Sequence, residues 1–273
     1  MVRALAILSS FDLDHSEVGV SQVAELVGLH KSTAHRLLAT LESQGFVSKT
    51  ERSKYVLGRK VFELGAVAYA QGGFHGIVLE ELGRLVERTS ETAHLAVLDD
   101  AEVLYLEKVE SKRTLRMPSA VGRRQPAHRT ALGKVLLAHL DDRGLERVHE
   151  RRRDDSGAAR ADEFMRELQA VRADGYAVDH EEIEIGLVCI AAPVTTLSGE
   201  VCAAVSISGP KARLQDDVQD NALLVRECCG ALSIRLGSSL EWLRSYRVEA
   251  ERTPSRDATR GNGRRSSGHA AHR

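Results

Sequence analysis

Residues 20–46, VSQVAELVGLHKSTAHRLLATLESQGF, constrain the fold of this chain more than any other stretch. Apolar residues recur there at helical spacing in two runs, and Gly28 lies between them, where a helix can end and the chain can turn back. The first run is Val23, Leu26 and Val27, and the second is Ala34, Leu37, Leu38 and Leu41. Two amphipathic helices around a tight turn are typical of a helix-turn-helix, but also of an ordinary pair of packed helices.

The second predicted helix, Lys31–Ser43, has a polar face that could contact DNA. The polar residues in its first two turns are Lys31, Ser32, Thr33, His35 and Arg36. Short hydroxyl side chains and one arginine can reach base edges and phosphates when a helix lies in the major groove. We therefore interpret Lys31–Ser43 as a recognition helix.

A basic hairpin follows this helix. Residues 46–48 and 55–57 are predicted strands on either side of a polar turn, and the segment carries Lys49, Arg52 and Lys54. Such a hairpin is a wing, which can contact the phosphate backbone beside the groove. The order helix, helix, wing is much more specific than a helix pair, and it favours DNA binding with Lys31 and Lys54 on phosphates.

Composition restricts any DNA contact to a local patch. The formal net charge is −1 over 273 residues, a length that predicts two domains. Residues 1–60 contain eight basic and six acidic side chains, and the basic ones cluster from residue 31 onward. The four cysteines have no metal-binding spacing, and no apolar run approaches the roughly 20 residues that span a bilayer. We expect a cytoplasmic protein without a signal peptide, a cofactor or a membrane partner.

Four segments are predicted along the chain. Residues 1–58 form the winged helix-turn-helix, in which a first helix packs Leu5, Leu8 and Phe11 beneath the other two. Residues 59–73 form an apolar linker helix, which pairing with its copy in a dimer would bury. Residues 74–248 form a mixed α/β domain, and residues 249–273 form a disordered basic tail.

The second domain has the pattern of an α+β fold. Strands are predicted at 92–98, 102–109, 115–117, 176–179, 186–194 and 200–208, and helices at 76–89, 130–140, 162–173 and 212–243. Strands paired with helices on one side indicate a module built on a central antiparallel sheet.

Alternation along two of these strands indicates a possible ligand pocket. In VCAAVSIS one face holds Cys202, Ala204, Ser206 and Ser208, and in GLVCIAA one face holds Leu187, Cys189 and Ala191. Small polar groups on a buried face leave space that suits a small polar ligand. Compact core packing would use the same residues, and spacing alone leaves both interpretations open.

Residues 179–184, DHEEIE, are open to two interpretations, a metal site or a solvated acidic edge. Strand alternation would scatter the acidic side chains over both faces, which favours the solvated edge, with Asp179 pointing inward. Residues 126–135 resemble a phosphate loop only superficially, because His128 stands where its first glycine is expected and Val135 where its magnesium-binding hydroxyl is expected. Thr130 instead predicts a helix cap whose first amides could hold a carboxylate. No arrangement typical of a catalytic nucleophile is present, so an enzyme is the weaker class.

The chain resembles the IclR-type bacterial transcriptional regulators over Val2 to about Tyr246. The matching stretches, in order, are GLHKSTAHRLLATLESQGFV, YVLGRKVFELG, ETAHLAVLDD, VGRRQPAHRTALGKVLLA, GYAVDHEEIEIGLVCIAAPV and VSISGP. The resemblance implies a winged helix-turn-helix, a linker helix used in dimerisation and a GAF-like effector-binding domain. It also implies a homodimer or dimer of dimers that binds palindromic double-stranded operator DNA, more often as a repressor.

The resemblance further implies an effector site for a small organic acid. Carried over to this sequence, its residues are Met117, Ala131, Leu132, Asp179, Cys189, Ser206 and Ser208. We therefore expect a ligand-responsive regulator, a repressor of a catabolic operon, with Lys31, Ser32, Thr33, His35, Arg36 and Lys54 on DNA. The alternative is a metal-binding or enzymatic small-molecule domain fused to a helix-turn-helix.

Overall fold

The protein, described from a computed structural model, is defined over residues 1–12, 14–72, 74–115, 119–151 and 158–237. Its first elements are α1 (Val2–Leu8), α2 (Val20–Val27), α3 (Lys31–Ser43), β1 (Val47–Lys49) and β2 (Tyr55–Leu57). Gly28 ends α2 with a φ of 64°, a left-handed conformation that glycine adopts without strain. The predicted winged helix-turn-helix is confirmed, and α3 has the predicted bounds.

A small apolar core joins these elements, and it corrects the prediction for α1. Ile7 is fully buried in this core, whereas Leu5, which was predicted to pack there, is 54% exposed. Phe11 is buried and Leu8 is partly buried, as predicted. Because nearly every residue of α1 is apolar, its sequence contains two overlapping stripes and does not determine which one faces the core.

The remaining elements follow β2 along the chain. They are α4 (Arg59–Gly72), α5 (His75–Thr89), β3 (Thr92–Asp99), β4 (Glu102–Val109), β5 (Arg124–Pro126), a single 3-10 turn (Ala127–Arg129), α6 (Ala131–Ala138), α7 (Asp142–Arg151), α8 (Ala158–Asp174), β6 (Ala177–His180), β7 (Leu187–Thr195), β8 (Val201–Pro210), α9 (Lys211–Leu214) and α10 (Val218–Leu236). The sequence patterns missed β5, which is short, and α7, whose described apolar residues are only Leu145 and Val148.

Strands β3 to β8 form one antiparallel sheet of six strands in the order β5-β4-β3-β8-β7-β6. Helices α5 and α10 cover one face, with Leu82 and Leu232 in the apolar core between them and the sheet. Helix α6, backed by α8, covers the other face, with Leu136 and Ala204 in a second core.

This layering confirms the predicted α+β fold on a central antiparallel sheet, but the expectation of helices on one side only is wrong. Strands β3, β7 and β8 are buried along nearly their whole length on both faces. Both apolar faces of the sheet must therefore be covered, and each has its own helical layer.

A β-bulge in β8 changes the face of one predicted residue. Val194 pairs with Ala203 and Thr195 pairs with Val201, so Cys202 is the extra residue between them. Cys202 consequently packs in the core beneath α5 and α10, while Val201 lies in the core beneath α6. The prediction that Cys202 shares a face with Ser206 and Ser208 is wrong.

The helix predicted over 212–243 is interrupted. Helix α9 ends at Leu214 and α10 begins at Val218, with Asp216 and Asp217 in the turn between them, a residue type that favours turns and caps over helix interiors.

The predicted end of this helix, the tail at residues 249–273 and Met117 of the predicted strand at 115–117 lie outside the described residues. The boundaries of the four predicted segments stay predictions. Within the described residues, no helix combines the length and the apolar character needed to cross a membrane.

Candidate functional site

Helix α3 buries one face and leaves the predicted DNA-binding face open. Ala34 and Leu38 are completely buried, and Leu41 nearly so, which fixes the helix on α1 and α2. On the remaining surface Lys31, Ser32, His35 and Arg36 are exposed and Thr33 is half-buried. The structure thus brings these predicted residues to one exposed end of α3, where the first amides have no acceptor within the helix.

The hairpin β1–β2 is attached to the helices through its buried tyrosine. Tyr55 is 2% exposed and exchanges two backbone hydrogen bonds, of 2.8 and 2.9 Å, with Val18. The Thr50 hydroxyl also donates to Glu17 Oε1 at 3.0 Å. These contacts hold the hairpin turn against the helical body, with the Lys54 side chain exposed.

The second domain contains a small cavity between the sheet and the start of α6. Its empty volume, including space that opens to solvent, is about 240 Å³. The lining residues are Tyr105, Thr130, Ala131, Leu132, Asp179, Ile183, Cys189, Ser206 and Ser208. Six of the seven effector residues named from the resemblance therefore lie around one cavity, and the seventh, Met117, lies outside the described residues.

Strand register explains why distant residues meet on the cavity floor. Asp179 of β6 pairs with Cys189 of β7, which pairs with Ser208 of β8, so the three lie in one row across the sheet. Ser208 donates a hydrogen bond from its hydroxyl to Cys189 Sγ at 3.1 Å. In the neighbouring row Ser206 pairs with Ala191. The hydroxyl oxygen of Ser206 is buried and has no hydrogen-bond partner among the described residues.

The wall opposite this floor is the first turn of α6, and its geometry depends on Thr130 and Gly133. The Thr130 side chain accepts a hydrogen bond from the Gly133 amide at 2.9 Å, so Thr130 is the N-cap of α6, as predicted. A Cβ on Gly133 would lie 2.0 Å from the carbonyl oxygen of Ala127. Only glycine allows the 3-10 turn and α6 to pack this closely, and that packing brings Ala131 and Leu132 to the cavity.

Burial keeps two titratable groups of the cavity from ionising easily. It raises the pKa of the Asp179 carboxyl to about 6, although the backbone N–H of Glu182 donates to Asp179 Oδ1 at 2.8 Å and partly opposes this. Burial also raises the pKa of the Cys189 thiol to about 12, and the nearby Asp179 carboxyl adds to the effect. The thiol is therefore neutral at physiological pH and is not an activated nucleophile.

The acidic run after β6 is used in ion pairs. Strand β6 ends at His180, and Glu181 has a φ of 64°, so the alternation predicted through Glu184 stops there. Glu182 binds the Nζ of Lys134, a side chain only 2% exposed that also lies 2.6 Å from Glu167 Oε1. Asp179 points inward as predicted, being 1% exposed. Within the described residues, no three His, Cys, Asp or Glu side chains are grouped as a metal site.

Sequence reasoning missed three lining residues. Tyr105 lies in β4, where no sequence pattern indicated a polar cavity, and Ile183 lies in the loop after β6. Thr130 was identified as a cap, and only the packing of α6 on the sheet shows that a cap residue also lines the cavity.

Two family models match the chain. The model of the IclR helix-turn-helix domain matches residues 1–51, and the model of the bacterial transcriptional regulator IclR C-terminal domain matches residues 76–234. The second match alone covers more than half of the chain, and it contains the whole six-stranded sheet.

Individual proteins of known class are similar over most of their length. The chain is 36% identical over 233 residues to the HTH-type transcriptional regulator KdgR of Escherichia coli (strain K12), covering 82% of this chain and 88% of that protein. It is 31% identical over 224 residues to the transcriptional repressor IclR of the same organism, covering 80% and 82%.

Among solved structures, an IclR homolog complexed with 4-hydroxybenzoate from Microbacterium hydrocarbonoxydans has a TM-score of 0.73 at 26% identity, covering 88% of this chain and 98% of that one. The family models, the relatives and the fold agree on one assignment. The chain belongs to the IclR family of bacterial transcriptional regulators, DNA-binding proteins with an N-terminal helix-turn-helix and a C-terminal effector-binding domain.

Proposed function

We propose that the protein is a repressor of a catabolic operon and that a small organic acid, bound in the cavity beside α6, controls its binding to DNA. The observation that carries the proposal is the Ser206 hydroxyl, which is buried, lines the cavity and has no hydrogen-bond partner among the described residues. Leaving a buried polar atom unpaired costs free energy, and a bound ligand would remove that cost.

Neutral hydrogen-bond donors would hold the carboxylate of this acid. The hydroxyls of Ser206 and Ser208 line one side of the cavity, and the first residues of α6, Ala131 and Leu132, line another. Ser206 can donate its proton to the carboxylate and still accept a hydrogen bond on its oxygen, and Ser208 would turn its proton from Cys189 Sγ to the carboxylate. A helix N-terminus presents free amides and a positive dipole end, which favour an anion. Asp179, when ionised, accepts a hydrogen bond from a donor group of the ligand, and Cys189 fills the floor as a neutral thiol.

Operator binding is assigned to α3 and the hairpin. Ser32, Thr33, His35 and Arg36 would read or position DNA, while Lys31 and Lys54 would contact phosphates. Their exposure supports this assignment, since four of these side chains on α3 are open to solvent beside one half-buried threonine.

A dimer or dimer of dimers would place two such helices on a palindromic operator. The linker helix α4 supports this assembly because its side chains at Phe62, Leu64 and Val67 are 77%, 49% and 55% exposed in the single chain. Exposed apolar side chains such as these are the ones that pairing with a second copy would bury.

Control requires that the acid distinguish two states of the protein. An acid that bound the DNA-competent and DNA-incompetent states equally could not shift the balance between them. The transcriptional repressor IclR and the homolog complexed with 4-hydroxybenzoate support a repressor that responds to an organic acid.

Calorimetry with a panel of small carboxylates tests the cavity. The wild-type chain should bind at least one acid, and the double variant Asp179→Ala, Ser206→Ala should bind it at least ten-fold more weakly. Asp162→Ala, an exposed carboxylate on α8, is the matched control and should bind as the wild type does. Normal binding by the double variant would refute the assignment of the acid to this cavity.

A further inference from the structure

Two buried polar atoms without a partner belong to residues that are paired with each other in the sheet. Among the buried side-chain nitrogen and oxygen atoms of the described residues, only Nδ1 of His94 and Oγ of Ser206 lack a hydrogen bond. His94 of β3 pairs in register with Ser206 of β8. Directly opposite side chains on antiparallel strands have Cβ atoms about 4.5–5.5 Å apart. The two atoms therefore belong to one local site rather than to two separate defects.

The site faces the cavity. Ala96, two residues after His94 on the same strand, packs in the core beneath α6, so His94 points to that face of the sheet as well. Its ring contacts Tyr105 edge-to-face, with ring centroids 5.2 Å apart at an interplanar angle of 74°. Tyr105 and Ser206 both line the cavity, so His94 adjoins it through two of the lining residues.

The orientation of the His94 ring is set from the other side. Its Nε2 lies 2.6 Å from the Ser119 hydroxyl, and the side chain is 1% exposed. Burial lowers the pKa of His94 to about 3, so the imidazole is neutral at physiological pH. One ring nitrogen thus contacts Ser119, and the other, Nδ1, has no hydrogen-bond partner among the described residues and belongs to a residue paired in register with Ser206.

The chemistry of these two atoms selects one kind of partner. In a neutral imidazole Nδ1 is a donor or an acceptor, depending on which nitrogen carries the proton, and the Ser206 hydroxyl can do both. A ligand hydroxyl both donates and accepts, so it can satisfy the pair with either tautomer of His94. A carboxylate oxygen only accepts, so it satisfies both atoms only when Nδ1 carries the proton, and an alkyl group satisfies neither.

We infer that His94 is a specificity-determining residue and that its Nδ1, together with Ser206 Oγ, binds a hydroxyl group of the effector. The effector is therefore a hydroxy acid rather than an unsubstituted carboxylic acid. This inference rests on the proposed function, because it specifies further the acid that the cavity holds. Tyr105 and Ser206 are the lining residues that adjoin His94, so the hydroxyl would enter between them.

Two conservative variants separate the two ring nitrogens. In His94→Asn the side-chain amide lies near the place of Nδ1, so a polar atom remains for the hydroxyl while the contact with Ser119 is lost. In His94→Gln the longer side chain carries its amide to the place of Nε2, so the contact with Ser119 remains and the position of Nδ1 is empty. Both keep a polar amide, and thermal unfolding of each shows whether it folds.

The measurement is calorimetric affinity of the full chain for acids that differ by one hydroxyl. The pairs are propionate and lactate, butyrate and 3-hydroxybutyrate, and benzoate and 4-hydroxybenzoate. We expect the hydroxyl to tighten binding at least fivefold in one or more pairs, the order of a single hydrogen bond. His94→Asn should keep most of this gain, whereas His94→Gln should reduce it below twofold while binding the unsubstituted acid as the wild type does.

The contrary outcomes separate this inference from the proposed function. If unsubstituted acids bind and a hydroxyl never adds fivefold, or if His94→Gln keeps the gain, the inference is wrong and the acid cavity stands. A gain that disappears only in Asp179→Ala would place the hydroxyl on Asp179 and would also overturn it. If none of the six acids binds to the wild type, the proposed acid effector falls and the inference falls with it.

Discussion

Replacing Gly133 with alanine should destabilise the protein strongly, because this glycine is where α6 packs on the preceding 3-10 turn. The added Cβ would lie 2.0 Å from Ala127 O and 2.3 Å from Ala127 Cα, whereas ordinary contacts begin at about 3.4 Å. Both atoms belong to the backbone and cannot turn away as the end of a side chain could. The turn and the helix must therefore separate by more than 1 Å, because the shortest contact would be 2.0 Å and an ordinary contact begins at about 3.4 Å.

The magnitude follows from what this movement disrupts. Overpacking of a buried site costs about 1–3 kcal/mol. Displacing the Gly133 amide from Thr130 Oγ1 weakens the N-cap, which is worth about 1 kcal/mol. Alanine has a higher helix propensity than glycine, which offsets less than about 1 kcal/mol of this loss of stability. We expect the free energy of unfolding to fall by about 1–4 kcal/mol.

Gly83→Ala is the matched control, since Gly83 lies inside α5 and its added Cβ would meet nothing within 4 Å. It should raise the stability by about 0.5–1 kcal/mol. The assay is urea unfolding followed by circular dichroism, at one protein concentration because assembly contributes to stability. If Gly133→Ala were as stable as Gly83→Ala, the close packing of α6 and the cavity built on it would be wrong.

Three further predictions address DNA, protons and assembly. Arg36→Ala should weaken operator binding by about 1–3 kcal/mol in fluorescence anisotropy, while Arg166→Ala on α8 should not. If the two variants bound the operator with equal affinity, Arg36 would not contact the DNA. Asp179→Asn should raise the free energy of unfolding at pH 7–8 by about 2–3 kcal/mol. The reason is that the pKa of Asp179 in the folded protein, about 6, exceeds its ordinary value of 3.8, so that ionisation is costly only in the folded state. That gain should shrink as the pH falls from about 6 to below 4, and a gain independent of pH would contradict the burial of this carboxyl. Phe62→Asp should shift sedimentation toward the monomer, and an unchanged dimer would exclude α4 as its contact.

The sequence was sufficient for the parts of the fold in which local pattern and tertiary packing agree. Helix α3 has the predicted bounds because its buried stripe, its turn and its polar face all point to the same conformation. The inward position of Asp179 followed from alternation along a strand that stays regular up to that residue.

The sequence was insufficient where a residue's environment depends on a second element. The bulge that turns Cys202 away from Ser206 arises from pairing between β7 and β8, and no composition signal marks it. Likewise, Leu5 and Ile7 are equally suited to a buried stripe, and only the position of α1 on its neighbours selects Ile7.

The same limit applies to the cavity. Its polar floor could be proposed from alternation, but the pairing of His94 with Ser206 requires knowing that β3 lies beside β8, strands that are separated by more than 100 residues of chain. Tyr105 and Ile183 join the lining for the same reason, since they come from elements far apart in the sequence.

The most direct test of the central claim is a gel-shift experiment with the DNA upstream of the protein's own gene, in which small carboxylic acids are titrated at fixed salt. The salt concentration must be fixed because phosphate contacts make affinity steeply dependent on it. We expect the protein to bind this DNA, and one hydroxy acid to change that binding over a range set by its own affinity. A folded protein whose DNA binding no acid alters would contradict the proposed control by an organic acid, and a folded dimer that does not bind the DNA would contradict operator recognition at that site.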